Sequence, residues 1–235
     1  MFILRHVHKS YSSVVVLSDV SCEIPADKFV FIVGPSGSGK STLLRLLSLV
    51  ERPVQGSVEL TLGGRRYSDA GEERPWPLVT CVFQRQFLWP HLTIRENITL
   101  PLRVRGVTDP DVALREVVHL FRMEGFVDRY PNEVSGGEAQ RAALARALAL
   151  KPTVILIDEA HGGLDLEQQA TVNQQLVKLR STGVGLVVVT HSISFARRYG
   201  DTLLVVEDRG VKSISTMHDL GMRAESPFLK RVLEL

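Results

Sequence analysis

The fold of this chain is decided by the stretch Phe29-Val30-Phe31-Ile32-Val33-Gly34-Pro35-Ser36-Gly37-Ser38-Gly39-Lys40-Ser41. Residues 29–33 are apolar without alternation, which is typical of a strand covered on both faces. Residues 34–41 match G-x-x-x-x-G-K-[ST], in which the glycines let the backbone turn tightly and present N–H groups to phosphate oxygens. Residues 40–50 place leucines at helical spacing, and the amino end of a helix attracts anions. The stretch therefore predicts a loop that binds the phosphates of a nucleoside triphosphate.

Two side chains of this loop carry most of its chemistry. Lys40 is expected to reach the β and γ phosphates as a point charge, and the Ser41 hydroxyl is expected to ligate Mg²⁺. A chance glycine-rich turn is the competing interpretation, and it occurs in roughly one chain in a hundred of this length. The strand before the loop and the helix after it favour the functional interpretation. The expected phosphate-binding residues are Gly34, Pro35, Ser36, Gly37, Ser38, Gly39, Lys40, Ser41 and Thr42.

The rest of the chain alternates between buried strands and helical patterns. Further apolar runs that predict buried strands lie at residues 78–83, 154–157, 186–189 and 203–206. Strands that alternate with helices indicate an α/β domain with a mainly parallel sheet. Alternating polar and apolar residues at 20–24 and 58–62 indicate antiparallel strands beside it.

Residues 86–150 break this rhythm, because they have little strand character and contain proline and glycine between helical patterns. We interpret them as a helical lobe inserted into the α/β core. The expectation is a single domain over residues 1–235, with residues 1–85 and 151–235 forming the core.

The composition is that of an ordinary globular protein: 235 residues, 44% hydrophobic, 23% charged, with a net charge of +2. This balance lacks the basic excess of a dedicated nucleic-acid binder. Cys22 and Cys81 are too few for a disulfide scaffold and are predicted to be buried free thiols. We find neither a signal peptide nor the roughly twenty consecutive apolar residues that span a bilayer. A role at a membrane would therefore require a partner.

Two acidic residues, Asp158 and Glu159, follow directly after the apolar run 154–157. In an open α/β sheet, ligands bind outside the carboxyl ends of the strands. Asp158 is then placed to hold Mg²⁺, and Glu159 to orient the attacking water or accept its proton. A strand that ends in solvated acids is the structural alternative, and the phosphate loop makes it the weaker one.

One further motif identifies a family. Val134-Ser135-Gly136-Gly137-Glu138 resembles the signature motif of ABC ATPases, about twenty residues before the acidic strand, as in that family. The resemblance implies a P-loop NTPase (RecA-like) core with an N-terminal antiparallel β part and an inserted α-helical subdomain. It also implies that this turn faces the γ-phosphate of ATP bound by a second chain. The structural alternative is a serine N-cap followed by flexible glycines.

Other single residues match the family in order along the chain. Tyr11 resembles the aromatic residue that stacks on adenine, and Gln84 the glutamine that senses Mg²⁺ and water. His191 resembles the switch histidine that contacts the γ-phosphate, and Asp165 the aspartate of the loop that communicates between two ATP sites. The family pattern thus implies Glu159, His191, Gln84 and Lys40 as catalytic residues and Ser41, Gln84 and Asp158 as Mg²⁺ ligands.

This chain departs from the family pattern after the acidic pair. Ala160 replaces the usual proline, and Gly162-Gly163 replaces a stiffer pair. These departures put the coupling between the two ATP sites in doubt.

The resemblance implies an ATP-hydrolysing subunit that lies at the cytoplasmic face of the membrane. When ATP binds, it is expected to form a homodimer or to pair with another ATPase subunit. Residues 87–94, here called the docking segment, follow Gln84 and are expected to receive integral-membrane permease subunits; a solute-binding protein would act indirectly. The structural alternative is that part of this apolar run belongs to the core of the helical lobe. Residues 87–98 resemble the same region of polar amino-acid importers, which is the interpretation we favour, while residues 97–102 also resemble lipoprotein-releasing and macrolide-exporter ATPases.

Two other classes of function remain open from the sequence. A soluble P-loop kinase or GTPase would need a second substrate site, and none is visible. A non-transport ABC protein of translation or DNA repair usually carries two ATPase units or a long coiled coil, and neither is found. Nucleic acid is not an expected partner, and the cargo is not encoded here.

Overall fold

The computed structural model describes residues 1–159, 166–216 and 228. The elements in chain order are β1 (Phe2–Tyr11), β2 (Val14–Ile24), β3 (Phe29–Val33), α1 (Lys40–Leu47), β4 (Gln55–Leu62), β5 (Arg65–Ser68), β6 (Val79–Val82), α2 (Ile94–Val104), α3 (Pro110–Phe121), α4 (Gly136–Ala149), β7 (Val154–Asp158), α5 (Leu166–Arg180), β8 (Gly185–Val189), α6 (Ile193–Tyr199), β9 (Thr202–Glu207) and β10 (Gly210–Thr216).

The contacts divide the chain into two compact units. The first unit is Met1–Trp76 with Gly185–Leu235, and the second is Pro77–Val184. The second unit is wider than the predicted helical lobe of residues 86–150, because β6 and β7 pair with each other inside it. The single domain over residues 1–235 stays a prediction.

The first unit contains an antiparallel sheet in the order β2-β1-β4-β5. It also contains β3, which pairs in parallel with β8 on one side and with β9 on the other, while β10 runs antiparallel to β9. All residues of β3 are buried, as a strand with two neighbours and two covered faces requires. Gly185 opens β8 where a Cβ would lie 1.8 Å from the carbonyl oxygen of Ala26. Only glycine fits at this close approach.

The second unit combines the parallel pair β6 and β7 with the helices α2 to α5. Each of three helices begins with a side chain that accepts hydrogen bonds from the first turn: Thr93 for α2, Asp109 for α3 and Ser135 for α4. Such caps satisfy N–H groups that have no partner within the helix. Asn97 is fully buried, and its amide bonds to the backbone of Trp89 in both directions. The docking segment is therefore tied to α2.

The predicted α/β fold with an antiparallel part is confirmed. The helix predicted over residues 40–50 ends earlier, at Leu47. Within the described residues neither Cys22 nor Cys81 forms a disulfide, as predicted, but both side chains are half-buried rather than buried. Within the described residues, no helix combines the length and apolar composition that crossing a membrane requires.

Candidate nucleotide-binding site

The phosphate loop begins at the carboxyl end of β3. A Cβ at Gly34 would lie 2.1 Å from the carbonyl oxygen of Val206, so a side chain is excluded there. Gly37 and Gly39 have φ values of +76° and +103°, in the region that glycine adopts at little cost. Lys40 is buried, and its Nζ donates to the carbonyl oxygens of Gly34 at 3.0 Å and of the next residue at 2.8 Å. The ammonium group thus lies inside the curve of the loop.

The amino end of α1 suits an anion. Its N-cap, Gly39, offers no side-chain acceptor, and the first turn contains no acidic residue. Within this turn, its backbone N–H groups and the positive end of the helix dipole therefore meet no acidic side chain that would compete with a bound anion. Ser38 adds a buried Oγ that has no hydrogen-bond partner among the described residues. Ser41 is the second residue of this helix. These features fit a phosphate group and, through the hydroxyl of Ser41, a cation bound to it.

His191 lies in the same unit, after the strand that neighbours β3. The N–H of Thr190 donates to the carbonyl oxygen of Ile32 at 3.1 Å, which continues the pairing of β8 with β3 to the end of both strands. The exposed His191 follows directly, and the Thr190 hydroxyl accepts from the N–H of Ser192 at 3.0 Å. The structure therefore brings His191 and the phosphate loop to the same strand ends.

Tyr11 ends β1 with a side chain that is 39% exposed. Its hydroxyl donates to Glu51 at 2.5 Å and accepts from Arg45 at 3.2 Å, and Lys9 Nζ lies 5.0 Å from the ring centroid. Burial raises the pKa of Glu51, but hydrogen bonds from Tyr11 and Lys9 and the nearby charges lower it by more, so the net pKa is lowered. Sequence reasoning missed Glu51, because no local pattern links residues that lie 40 positions apart.

The acidic pair lies in the second unit. Val82 is opposite Ile157 in the parallel pair of β6 and β7, so Gln84 and the acids follow strands that end at the same edge. Gln84 Nε2 donates to Glu159 Oε2 at 2.9 Å. Asp158 is 3% exposed, and Glu159 has a φ of +54°, which is uncommon for a residue other than glycine. The left-handed backbone turns the Glu159 carboxylate away from the strand direction and towards Gln84.

The signature-like turn also lies in the second unit. Ser135 Oγ accepts from the N–H of Glu138 at 3.2 Å, and the Glu138 carboxylate accepts from the N–H of Ser135 at 2.8 Å. A Cβ at Gly136 would meet nothing within 4 Å, so the backbone there faces open space. Glu138, where the family often has glutamine, completes the capping box and leaves the turn intact.

The predicted site residues are therefore distributed between the units. The first unit holds Tyr11, residues 34–42 and His191; the second holds Gln84, residues 135–138, Asp158 and Glu159. Asp165, Ala160, Gly162 and Gly163 lie outside the described residues. Arg146, whose guanidinium donates to the carbonyl oxygens of Gln86 and Phe87, was also not predicted from the sequence. A lone charged residue within the Ala- and Leu-rich end of α4 was the visible signal.

Comparison with known proteins decides the family. A sequence model described as "ABC transporter" matches residues 17–162. The chain belongs to the ABC transporter family. The resemblance found in the signature-like turn and the phosphate loop is thereby confirmed at the level of the family.

Individual relatives agree with this assignment. The chain is 35% identical over 230 residues to the sulfate/thiosulfate import ATP-binding protein CysA of Synechocystis sp., covering 97% of this chain and 64% of that protein. This chain thus spans less than two thirds of that relative. It is 36% identical over 212 residues to the arginine transport ATP-binding protein ArtP of Haemophilus influenzae, covering 87% of each.

Among solved structures, this chain is similar to the ATP-binding cassette MJ0796, in a dimeric post-hydrolysis state bound to ADP and Pi. The two chains are 33% identical with a TM-score of 0.83, and the match covers 92% of this chain and 99% of that one. Similarity of this extent confirms the fold class.

Proposed function

We propose that this chain is the ATP-binding and ATP-hydrolysing subunit of an ABC importer. The observation that carries the proposal is the phosphate loop, where an excluded side chain at Gly34, a buried Lys40 and an α1 without an acidic first turn form a cradle for phosphate. Such a cradle is a ready binding site for an anion. The motif residues in the second unit supply the groups that hydrolysis requires.

Different residues of the chain bind the nucleotide and accept the proton from the attacking water. Lys40 exchanges the loop carbonyl oxygens that it now contacts for phosphate oxygens. Glu159 orients the attacking water or accepts its proton, and Gln84 holds the carboxylate through its Nε2, which leaves the amide oxygen of Gln84 as an acceptor or ligand. His191 contacts the γ-phosphate, and Tyr11 offers adenine the ring face opposite Lys9.

Magnesium fits the oxygen donors of this set. Mg²⁺ prefers hydroxyl, carboxylate and carbonyl oxygens, which Ser41, Asp158 and Gln84 provide. When bound, Mg²⁺ neutralises charge on the phosphates. The low exposure of Asp158 favours a fixed position for its carboxylate.

Hydrolysis is proposed to need two chains. The open backbone at Gly136, between Ser135 and Gly137, with Glu138 completing the cap, suits contact with the γ-phosphate bound by the second chain. Asp165 is proposed to link the two sites. The dimeric state of the cassette MJ0796 supports this arrangement.

The docking segment is proposed to bind the permease. It borders a groove of about 530 Å³ whose lining is Arg85, Gln86, Phe87, Leu88, Trp89, Pro90, Pro131 and Ala139. Phe87 and Trp89 are 58% and 39% exposed, and exposed aromatic side chains of this kind are frequent anchors of protein interfaces. The chain would then lie at the cytoplasmic face of the membrane.

Uptake of a polar solute such as an amino acid is the proposed transport function. The docking segment resembles that of polar amino-acid importers, and the relative named for arginine transport matches with equal coverage of both chains. A solute-binding protein is then an indirect partner.

The test is ATP turnover against protein concentration for the wild type and for Glu159→Gln, with dimer formation followed by size-exclusion chromatography. We expect turnover to rise more than linearly, and Glu159→Gln to lower it about 10²- to 10⁴-fold while an ATP-bound dimer accumulates. Glu116→Gln is the matched control, because Glu116 is an exposed acid that pairs with Lys151 at the surface. Linear turnover that survives Glu159→Gln would exclude the shared site and favour a monomeric P-loop enzyme.

A further inference from the structure

The backbone between Gln84 and the docking segment is held by one side chain of α4. Arg146 Nη2 donates to the carbonyl oxygen of Gln86 at 2.8 Å, and Nη1 donates to that of Phe87 at 2.9 Å. The same guanidinium lies 5.2 Å from the centroid of the Trp89 ring. A planar fork that binds two consecutive carbonyl oxygens and an aromatic face fixes both the path and the orientation of this backbone.

A second contact joins the same two parts of the unit. Gln86 Nε2 donates to Oε1 of Gln140 at 3.1 Å, and Gln140 is buried. Gln140 and Arg146 lie on the helix whose N-cap is Ser135. Ser135 and Arg146 are roughly 16 Å apart along the helix, at 1.5 Å per residue. One rigid element therefore carries the signature-like turn at one end and holds the docking segment near the other.

The guanidinium of Arg146 is half-buried. Burial lowers the pKa of this guanidinium, and in the part of the chain that the structure describes no carboxylate lies within ion-pair distance of it. Carbonyl dipoles and the ring of Trp89 stabilise the charge instead. Burying a charged group is costly, and a methionine would fill this place without that cost. The arrangement is explained by the geometry that only the guanidinium imposes on residues 86–89.

We propose that Arg146 is a positioning residue that couples ATP binding to the docking segment. It makes the turn at Ser135 and the backbone of residues 86–89 move as one body. Engagement of Ser135 by nucleotide then changes the position of the aromatic side chains that face the permease. This inference rests on the proposed function of Ser135 and of the docking segment.

The same helix offers a matched control. Arg141 donates to the carbonyl oxygens of Phe121 at 3.1 Å and Arg122 at 3.2 Å, and its guanidinium lies 4.9 Å from the ring centroid of Phe126. Arg141 thus makes the same kinds of contact as Arg146, but with the end of α3. A loss of helix packing affects both variants, whereas a loss of coupling affects only Arg146.

The experiment uses Trp89 as its own reporter. The chain contains two tryptophans, so W76F leaves Trp89 as the single emitter. In this background we compare Arg146→Lys, Arg146→Met and Arg141→Lys. Measured are the change in Trp89 emission on adding a non-hydrolysable ATP analogue with Mg²⁺, the Kd of a fluorescent ATP analogue, and kcat and KM for ATP. Circular dichroism checks folding, and Arg146→Lys keeps the test valid where the methionine variant does not fold.

The expected result is that W76F and Arg141→Lys show a nucleotide-induced change in emission. Both Arg146 variants lose at least about four fifths of it, while their Kd and KM stay within about threefold. Full amplitude in a folded Arg146 variant would overturn the inference, as would an equal loss in Arg141→Lys. A W76F protein that hydrolyses ATP without any change in Trp89 emission overturns the inference and leaves the proposed function standing. If the W76F protein binds no ATP, both the inference and the proposed function are overturned.

Discussion

The signature-like turn has two interpretations that a single substitution separates. As a helix cap, Ser135 supplies one hydrogen bond to the N–H of Glu138. Ser135→Ala removes that bond but keeps the bond from the Ser135 N–H to the Glu138 carboxylate, which uses the backbone. The expected loss in the free energy of unfolding is therefore about 1 kcal/mol, typical of an N-cap replaced by alanine.

If Ser135 also contacts a γ-phosphate, its loss costs more in turnover than in stability. A hydrogen bond to a charged group contributes about 1.5–3 kcal/mol, and about 1.4 kcal/mol corresponds to a factor of ten. We expect ATP turnover by Ser135→Ala to fall about ten- to a hundredfold. The assay is phosphate release at saturating protein concentration, with urea unfolding measured on the same samples.

The control is Asp109→Ala, which removes the N-cap of α3, where Asp109 accepts from two backbone N–H groups. Its stability loss should be similar, at about 1 kcal/mol. A protein with at least about 5 kcal/mol of stability remains more than about 99% folded after that loss, so turnover of the control should not change. Equal turnover in both variants would refute the assignment of Ser135 to ATP and leave it as a helix cap.

Two further predictions concern the first unit. Gly34→Ala should abolish ATP binding, measured with a fluorescent analogue, because the new Cβ would lie 2.1 Å from the carbonyl oxygen of Val206. The control is Gly125→Ala, where a Cβ meets nothing within 4 Å. Unchanged affinity in Gly34→Ala would contradict the loop geometry. Glu51→Gln should destabilise the protein more at pH 7 than at pH 3. The pKa of Glu51 is lowered below its ordinary value of 4.5, so its contribution to stability is complete above that pH and is lost progressively as the pH falls through the folded pKa. Urea unfolding at both pH values measures this, and an equal loss at both would show that the bond to Tyr11 does not depend on the charge.

The strands and helices that were predicted correctly each keep one simple hydrophobic pattern along their whole length. Residues 29–33 are uniformly apolar because β3 has a neighbour on each side. The strand β1 was not predicted, because its hydrophobic pattern is interrupted. In β1, Phe2 and Leu4 alternate regularly, but His6 has a φ of +48° and the register shifts before Val7. This bulge moves the next buried residue by one position and removes the alternation from the sequence.

In the candidate site, residues that belong to local motifs were predicted, and residues whose contacts join distant segments were not. Gln84 and Glu159 were each predicted from a motif, and the pairing of β6 with β7 brings them to one strand edge. Glu51 and Arg146 were not assigned roles, because their contacts depend on which segments the fold brings together. Side-chain pairs that join distant segments have no local period, so local sequence patterns do not predict them.

The placement of β3 has a consequence for synthesis on the ribosome. Phe29 pairs with Leu186, and Val30 with Thr202, so both neighbours of the strand are translated long after it. At about 5–20 residues per second, β3 waits roughly ten to thirty seconds without a partner. During that time it is a short, wholly apolar segment with unpaired backbone groups, the type of segment that aggregates. Chains that stop before residue 185 should therefore require chaperones or precipitate, and the yield of this protein should depend on how quickly residues 185–207, which contain both partner strands, are made.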